Sequence, residues 1–258
     1  ADRPLRIVVV SPRAGPEILG GAEVHLAMLA RLMKELGHHV EIASTQARSH
    51  SAWANELPPE AEVEGIPVRR FPVDAFDQET HDVYSAQAFF QRPEHRDAFT
   101  EQMVRNFAHS SELIAHLRGI SERTDLFLTG PYLHGITVDV ARAFPTRCVV
   151  MPCLHDEWLA RLKVYREMLR NTRGIMFNTP EEMAFAAQTL RVLHPRCMVV
   201  GYGLDPQTCA GRKGRDVTGR GRPYVFYAGR IEANKNLELL VEGFVAFKHN
   251  AQECDKSF

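Results

Sequence analysis

Three short stretches hold residue types at spacings that could do chemistry. Gly20 and Gly21 stand directly before a helical pattern. A glycine pair lets backbone approach an anion, and a helix N-terminus offers free N–H groups and a positive dipole end. The same glycines could equally serve only to turn the chain. Arg230 and Lys235 bracket the loop AGRIEANKN (228–236), between an apolar run and a second helical pattern. An arginine fork and a lysine point charge at a helix start suit a diphosphate, although such a pair is often just a solvated loop.

His155, Asp156 and Glu157 follow the apolar run RCVVMPCL (147–154). Consecutive residues do not converge on one ion, and neither HExxH nor HxH accompanies them, so no metal is expected. A histidine at a strand end can hydrogen-bond a substrate hydroxyl. The competing reading is an Asp156 helix cap with an incidental histidine. Gly15, Gly20 and Gly21 do not fit GxGxxG, which argues against a nicotinamide-linked oxidoreductase. GxSxG and a Walker lysine are absent as well.

These residues need elements to position them. Leu5–Val10 reads as a buried strand and AEVHLAMLARLMKELG as a helix, with Leu26, Leu29, Ala30, Met33 and Leu36 on one face. Strands are then expected at HHVEIAS, EGIPVRRF, DLFLTG, RCVVMPCL, GIMFNT and CMVVGYG. Residues 74–118, HGITVDVARAF, Trp158–Arg173 and PEEMAFAAQTL are expected to be helical. This alternation predicts an α/β fold, a Rossmann-like doubly wound parallel sheet. Residues 1–207 would form that domain. AGRKGRDVTGRGRP has five basic residues, one acid and four glycines, and reads as a linker over 208–222. YVFYAG and NLELLVEGFVAF would be the first βα unit of a second Rossmann-like domain in 223–258.

Composition narrows the classes. The 258 residues carry 31 Lys+Arg against 32 Asp+Glu, so a generally basic nucleic-acid binder is excluded. The longest apolar runs fall well short of the ~18 residues of a membrane span. The start, ADRPLRIVVV, lacks the charged-then-apolar pattern of a secretion signal. Five cysteines without CxxC argue against a disulfide framework. Cys148 and Cys197 are expected as core thiols, with a cytoplasmic setting. The segment 158–173 carries Arg161, Lys163, Arg166, Arg170 and Arg173 against Glu167, which suits either a solvated face or a peripheral membrane contact.

Taken in order, these blocks resemble glycosyltransferase family 4, the retaining enzymes of GT-B architecture. GGAEVHLAMLARLMKELGHHVEIAS is similar to the family's first loop, helix and second strand. CLHDEW is similar to its strand-end histidine block. MFNTPEEMAF and VVGYGLDP are similar to later strands, with Tyr202 in place of the common asparagine. YVFYAGRIEANKNLELLVEGF is similar to the opening of its second domain.

The resemblance implies a nucleotide-sugar donor and a glycan or lipid-linked acceptor, as in polysaccharide biosynthesis, with no metal or other cofactor. It implies that Gly20 and Gly21 face the donor phosphates, His155 bonds the transferred sugar, and Arg230 and Lys235 hold the diphosphate. A family member continues well beyond the GR…K helix. The chain is therefore expected to stop early in its second domain and to transfer sugar poorly alone. A non-catalytic sugar- or phosphate-binding module, or a subunit of a split transferase, is the alternative.

Overall fold

A computed structural model describes residues 3–203, 224–229, 231 and 235–254. The chain divides into two units, Ala1–Leu204 and Asp205–Phe258.

The first unit opens with β1 (Arg6–Val10), α1 (Gly21–Glu35) and β2 (His39–Thr45). A hairpin follows, β3 (Glu60–Val63) and β4 (Ile66–Phe71). Next come α2 (Gln78–Phe90), α3 (Asp97–Arg105), α4 (Ser111–Ile120), β5 (Leu126–Thr129) and α5 (Gly135–Ala143). The unit closes with β6 (Cys148–Val150), α6 (Lys163–Asn171), β7 (Gly174–Phe177), α7 (Pro180–Gln188) and β8 (Cys197–Val199).

The strands form one sheet in the order β3-β4-β2-β1-β5-β6-β7-β8. Every neighbouring pair is parallel except the β3/β4 hairpin. The doubly wound α/β expectation holds. Alternation along β1 separates two cores. Ile7 and Val9 pack with Leu26, Ala27 and Ala30 of α1. Val8 and Val10 face the other way, into the cluster holding Leu113 and Leu117 of α4, Ile136 and Val140 of α5, and Leu169 of α6. A strand covered on both faces must be apolar throughout, which is why RIVVV has no polar alternation. Chain order reverses at β1, which has β2 on one side and β5 on the other. A crevice outside the carboxyl ends of the strands is where such sheets bind ligands.

Several elements differ from expectation. β3 reads as polar loop in the sequence, because EAEV alternates charge on an exposed edge. Its turn residues Glu64 and Gly65 have φ of 53° and 71°, as a two-residue type I′ hairpin requires. The strand expected over 147–154 stops at Val150, and Cys153 turns the chain at φ 55°. The helix expected over Trp158–Arg173 is a 3-10 turn (Leu159–Arg161) and then α6. Residues 74–118 divide into α2, α3 and α4. Cys197 is exposed on edge strand β8, not a core thiol, while Cys148 is buried. Gly130–Pro131 is a cis peptide.

In the second unit, α8 (Leu237–Cys254) forms where NLELLVEGFVAF predicted a helix. Tyr224–Gly229 is exposed and takes no strand conformation. An extended segment becomes a strand only beside a neighbour that takes its ladder hydrogen bonds. The linker 208–222 lies outside the described residues.

Candidate active site

The carboxyl ends of the strands gather the candidate residues of the first unit. Gly20 is the extended N-cap of α1, and no side chain caps that end. A Cβ on Gly20 would sit 2.1 Å from Glu23 Oε2, so the Glu23 carboxylate lies directly against this backbone. A carboxylate in the first turn suits the positive end of the helix dipole. Arg13, from the loop after β1, pairs with Glu23, and both side chains are nearly buried. Gly21 faces a different neighbour: a Cβ there would come to 3.3 Å from Tyr202 Oη. The Tyr202 hydroxyl donates to the Gly21 carbonyl. Its ring stacks on His25 with centroids 4.1 Å apart. The glycine pair thus permits close approach, and in this structure the groups that approach are Glu23 and Tyr202.

His155 follows β6 as expected. The loop that carries it is held from below. Glu182, in the first turn of α7, is buried and accepts the Leu154 N–H at 2.6 Å and the Asn178 N–H at 2.6 Å. Thr179 caps α7 by accepting the Glu182 N–H, and Pro180 begins the helix. Burial pushes the Glu182 carboxyl up, and the N–H bonds from Leu154 and Asn178 offset part of that push. The side chain of His155 is exposed and makes no hydrogen bond among the described residues.

Its neighbours are engaged elsewhere. Asp156 pairs with Arg161 at 2.5 Å. Glu157 accepts from the buried Tyr132 hydroxyl at 2.7 Å. Asp156 is therefore not a helix cap, because its carboxylate turns back to the 3-10 turn instead of reaching α6, whose N-cap is Leu162.

A buried aromatic cluster lies beside the segments that follow β2 and β5. The His134 ring stands edge-on to Trp53, with centroids 5.3 Å apart, and is parallel to Phe107. Its Nδ1 and Trp53 Nε1 are buried without partners. Burial holds the His134 imidazole neutral, pushed down to about 4. His25 is also driven down by burial, with both ring nitrogens unpartnered. Sequence reasoning missed His134, Arg13 and Glu182. The histidine and arginine lack a diagnostic spacing. For Glu182 the only signal was PEE after a strand, which reads as an ordinary helix start.

Lys235 stands exposed just before α8. Arg230 lies outside the described residues. The basic face expected over 158–173 is largely committed within the fold. Arg161 pairs with Asp156, Lys163 with Glu167, and Arg166 lies 4.0 Å from Asp97. Arg170 donates to the Arg191 carbonyl and Arg173 to that of Thr146. Among the described residues, no group of three His, Cys, Asp or Glu side chains is placed to hold a metal ion. No described helix is long and apolar enough to cross a membrane.

The site thus offers an unengaged histidine on a braced strand-end loop and a glycine-opened helix N-terminus on one rim of a parallel sheet. Residues 20–203 match the family described as glycosyl transferase 4-like domain. The match covers most of the chain, and the chain belongs to this family. Membership places it among the glycosyltransferases. The curated proteins hold no match.

Among solved structures, two of sucrose-phosphate synthase from Thermosynechococcus elongatus are similar to this chain. One is 13% identical with a TM-score of 0.47, covering 81% of this chain and 93% of that one. The other is 11% identical with a TM-score of 0.49, covering 78% of this chain and 49% of that one. The chain therefore spans about half the length of the longer structure.

Proposed function

We propose that the protein is a retaining glycosyltransferase that moves a sugar from a nucleotide-sugar donor to a glycan or lipid-linked acceptor. The C1–O bond to the donor diphosphate breaks and a C1–O bond to an acceptor hydroxyl forms on the same face. The acceptor proton leaves with the diphosphate. His155 hydrogen-bonds the transferred sugar. Arg230 and Lys235 hold the diphosphate, and the α1 N-terminus at Gly20 and Gly21 faces it. Cations and helix N–H groups neutralise the leaving group, so the reaction needs no metal. Positioning supplies much of the rest.

The observation that carries this reading is His155, ring unengaged, on a loop whose preceding N–H is fixed by a buried carboxylate. We place the enzyme in the cytoplasm, at the inner face of the membrane when its acceptor is lipid-linked. The test is turnover by the full chain with UDP-, GDP- and ADP-sugars. His155→Ala should lower kcat by about 100-fold or more, the scale of a lost acid–base or oriented polar contact. Unchanged turnover would overturn the assignment.

A second reading is a non-catalytic sugar- or phosphate-binding module, or a subunit of a split transferase. One observation favours it: the Glu23 carboxylate already lies at the helix end where a donor phosphate would sit. Adding a separately supplied donor domain and finding restored turnover would identify a split enzyme.

A further inference from the structure

Phe89 and Phe90 end α2 with half or more of their surface in water, 50% and 82% exposed. Ala88 beside them is fully buried and takes the inward position at this end of the helix. Large exposed apolar side chains grouped together mark an interaction surface more often than chance. These two rings are also held in place. They meet edge to face with centroids 5.2 Å apart, and Phe89 meets Trp158 in the same way at 5.7 Å.

Arginines flank the rings. The Arg96 guanidinium lies over the Trp158 ring at 5.7 Å and is tethered to the carbonyls of Gln91 and Phe89. Arg92 is exposed and makes no ion pair among the described residues. The neighbouring acids are mostly occupied. Asp97 lies 4.0 Å from the Arg166 guanidinium, and Asp156 is paired with Arg161. Glu94 is the remaining acid of the turn after α2.

We infer that the tip of α2, with Phe89 and Phe90 on Trp158 and Arg92 and Arg96 beside them, docks the protein on an anionic lipid bilayer. The rings enter the boundary between headgroups and acyl chains, and the guanidiniums meet lipid phosphates. A tethered guanidinium loses little freedom on binding a phosphate. This deepens the membrane part of the proposed function and moves the contact from α6, whose cations are committed, to α2. It rests on that reading only for its purpose, because docking is measured without turnover.

The chain has two tryptophans. Trp53 is buried at 3% exposure and gives a constant background, while Trp158 lies under the proposed contact. Intrinsic fluorescence and co-sedimentation are measured with vesicles of phosphatidylcholine, with and without phosphatidylglycerol. The anionic vesicles should bind the chain, shift Trp158 emission to the blue and shield it from acrylamide. Phe89→Ser/Phe90→Ser should abolish both effects at unchanged melting temperature. Arg92→Gln should weaken binding about fivefold. His155→Ala should bind vesicles like wild type, which separates this test from that of the enzyme.

Failure to bind either vesicle, or full binding by the double serine variant, would overturn the inference. Equal binding to both vesicle types would overturn its anionic part. A dimer in ultracentrifugation that Phe90→Ser dissociates would assign the patch to a second copy instead.

Discussion

Glu182 lies in the first turn of α7 and Leu154 in the loop after β6, and the Glu182 carboxylate accepts the Leu154 N–H at 2.6 Å, one residue before His155. Its other oxygen takes the Asn178 N–H. One buried side chain thus ties the end of β6 to the end of β7. Glu182→Ala leaves both N–H groups without a partner, at about 1–3 kcal/mol each. Urea denaturation should show that loss. A cost below ~0.5 kcal/mol would show that the tie is not needed.

Gly20 and Gly21 should respond differently to alanine. At Gly20 the new Cβ displaces the Glu23 carboxylate, whose other oxygen is held by Arg13. That should cost about 1–3 kcal/mol, between the values for exposed and buried pairs. At Gly21 the nearest atom is Tyr202 Oη at 3.3 Å, and alanine favours the helix. Thermal melts should place Gly21→Ala near wild type and Gly20→Ala clearly below it. Equal effects would contradict this account of the turn.

Glu23→Gln removes the carboxylate from the α1 N-terminus and releases Arg13. The fold should weaken, while affinity for a nucleoside diphosphate should rise severalfold. Calorimetric titration with UDP, GDP and ADP measures this. Weaker binding of all three would mean that Glu23 supports the donor and does not compete with it.

His109 gives a pH dependence. Its Nδ1 lies 2.5 Å from Asp139 Oδ2 and its Nε2 lies 2.6 Å from the Val104 carbonyl, so both nitrogens face acceptors. Burial pushes its pKa down, but the bond and charge of Asp139 and the Val104 carbonyl prevail and raise it above 6.5. A raised folded pKa adds stability that is complete below the unfolded value near 6.5. That stability is lost as pH rises through the folded value. Urea midpoints should therefore fall from pH 6.5 upward, and Asp139→Asn should flatten the slope. An unchanged slope in the variant would assign the dependence to another group.

Much of the architecture is legible in the sequence. β1 is a β-branched run with no polar break, and α1 carries its apolar residues at helical spacing. Both signals are local. β3 is not legible, because its charged residues suit an exposed edge and its register depends on the Glu64–Gly65 turn. Tyr224–Gly229 shows the opposite failure, since its apolar run reads as a strand but the segment is exposed and takes no strand conformation.

Among the candidate residues, His155 can be recognised because it follows an apolar strand. Glu182 cannot, because its role comes from two loops that are distant in sequence. The basic run in 158–173 forms a solvated face, with Arg161, Lys163, Arg170 and Arg173 exposed, but its more distant partners Asp97, Arg191 and Thr146 are not legible in the run itself.

The proposed function puts the donor diphosphate on Arg230 and Lys235. The most direct measurement is a thermal-shift screen with UDP, GDP and ADP on wild type, Arg230→Ala and Lys235→Ala. At a ligand concentration 100 times Kd, binding stabilises the folded state by about 2.7 kcal/mol. The account predicts a rise in Tm with at least one diphosphate in wild type, and loss of that rise in both variants. No rise with any of the three, or the same rise in the variants, would contradict it.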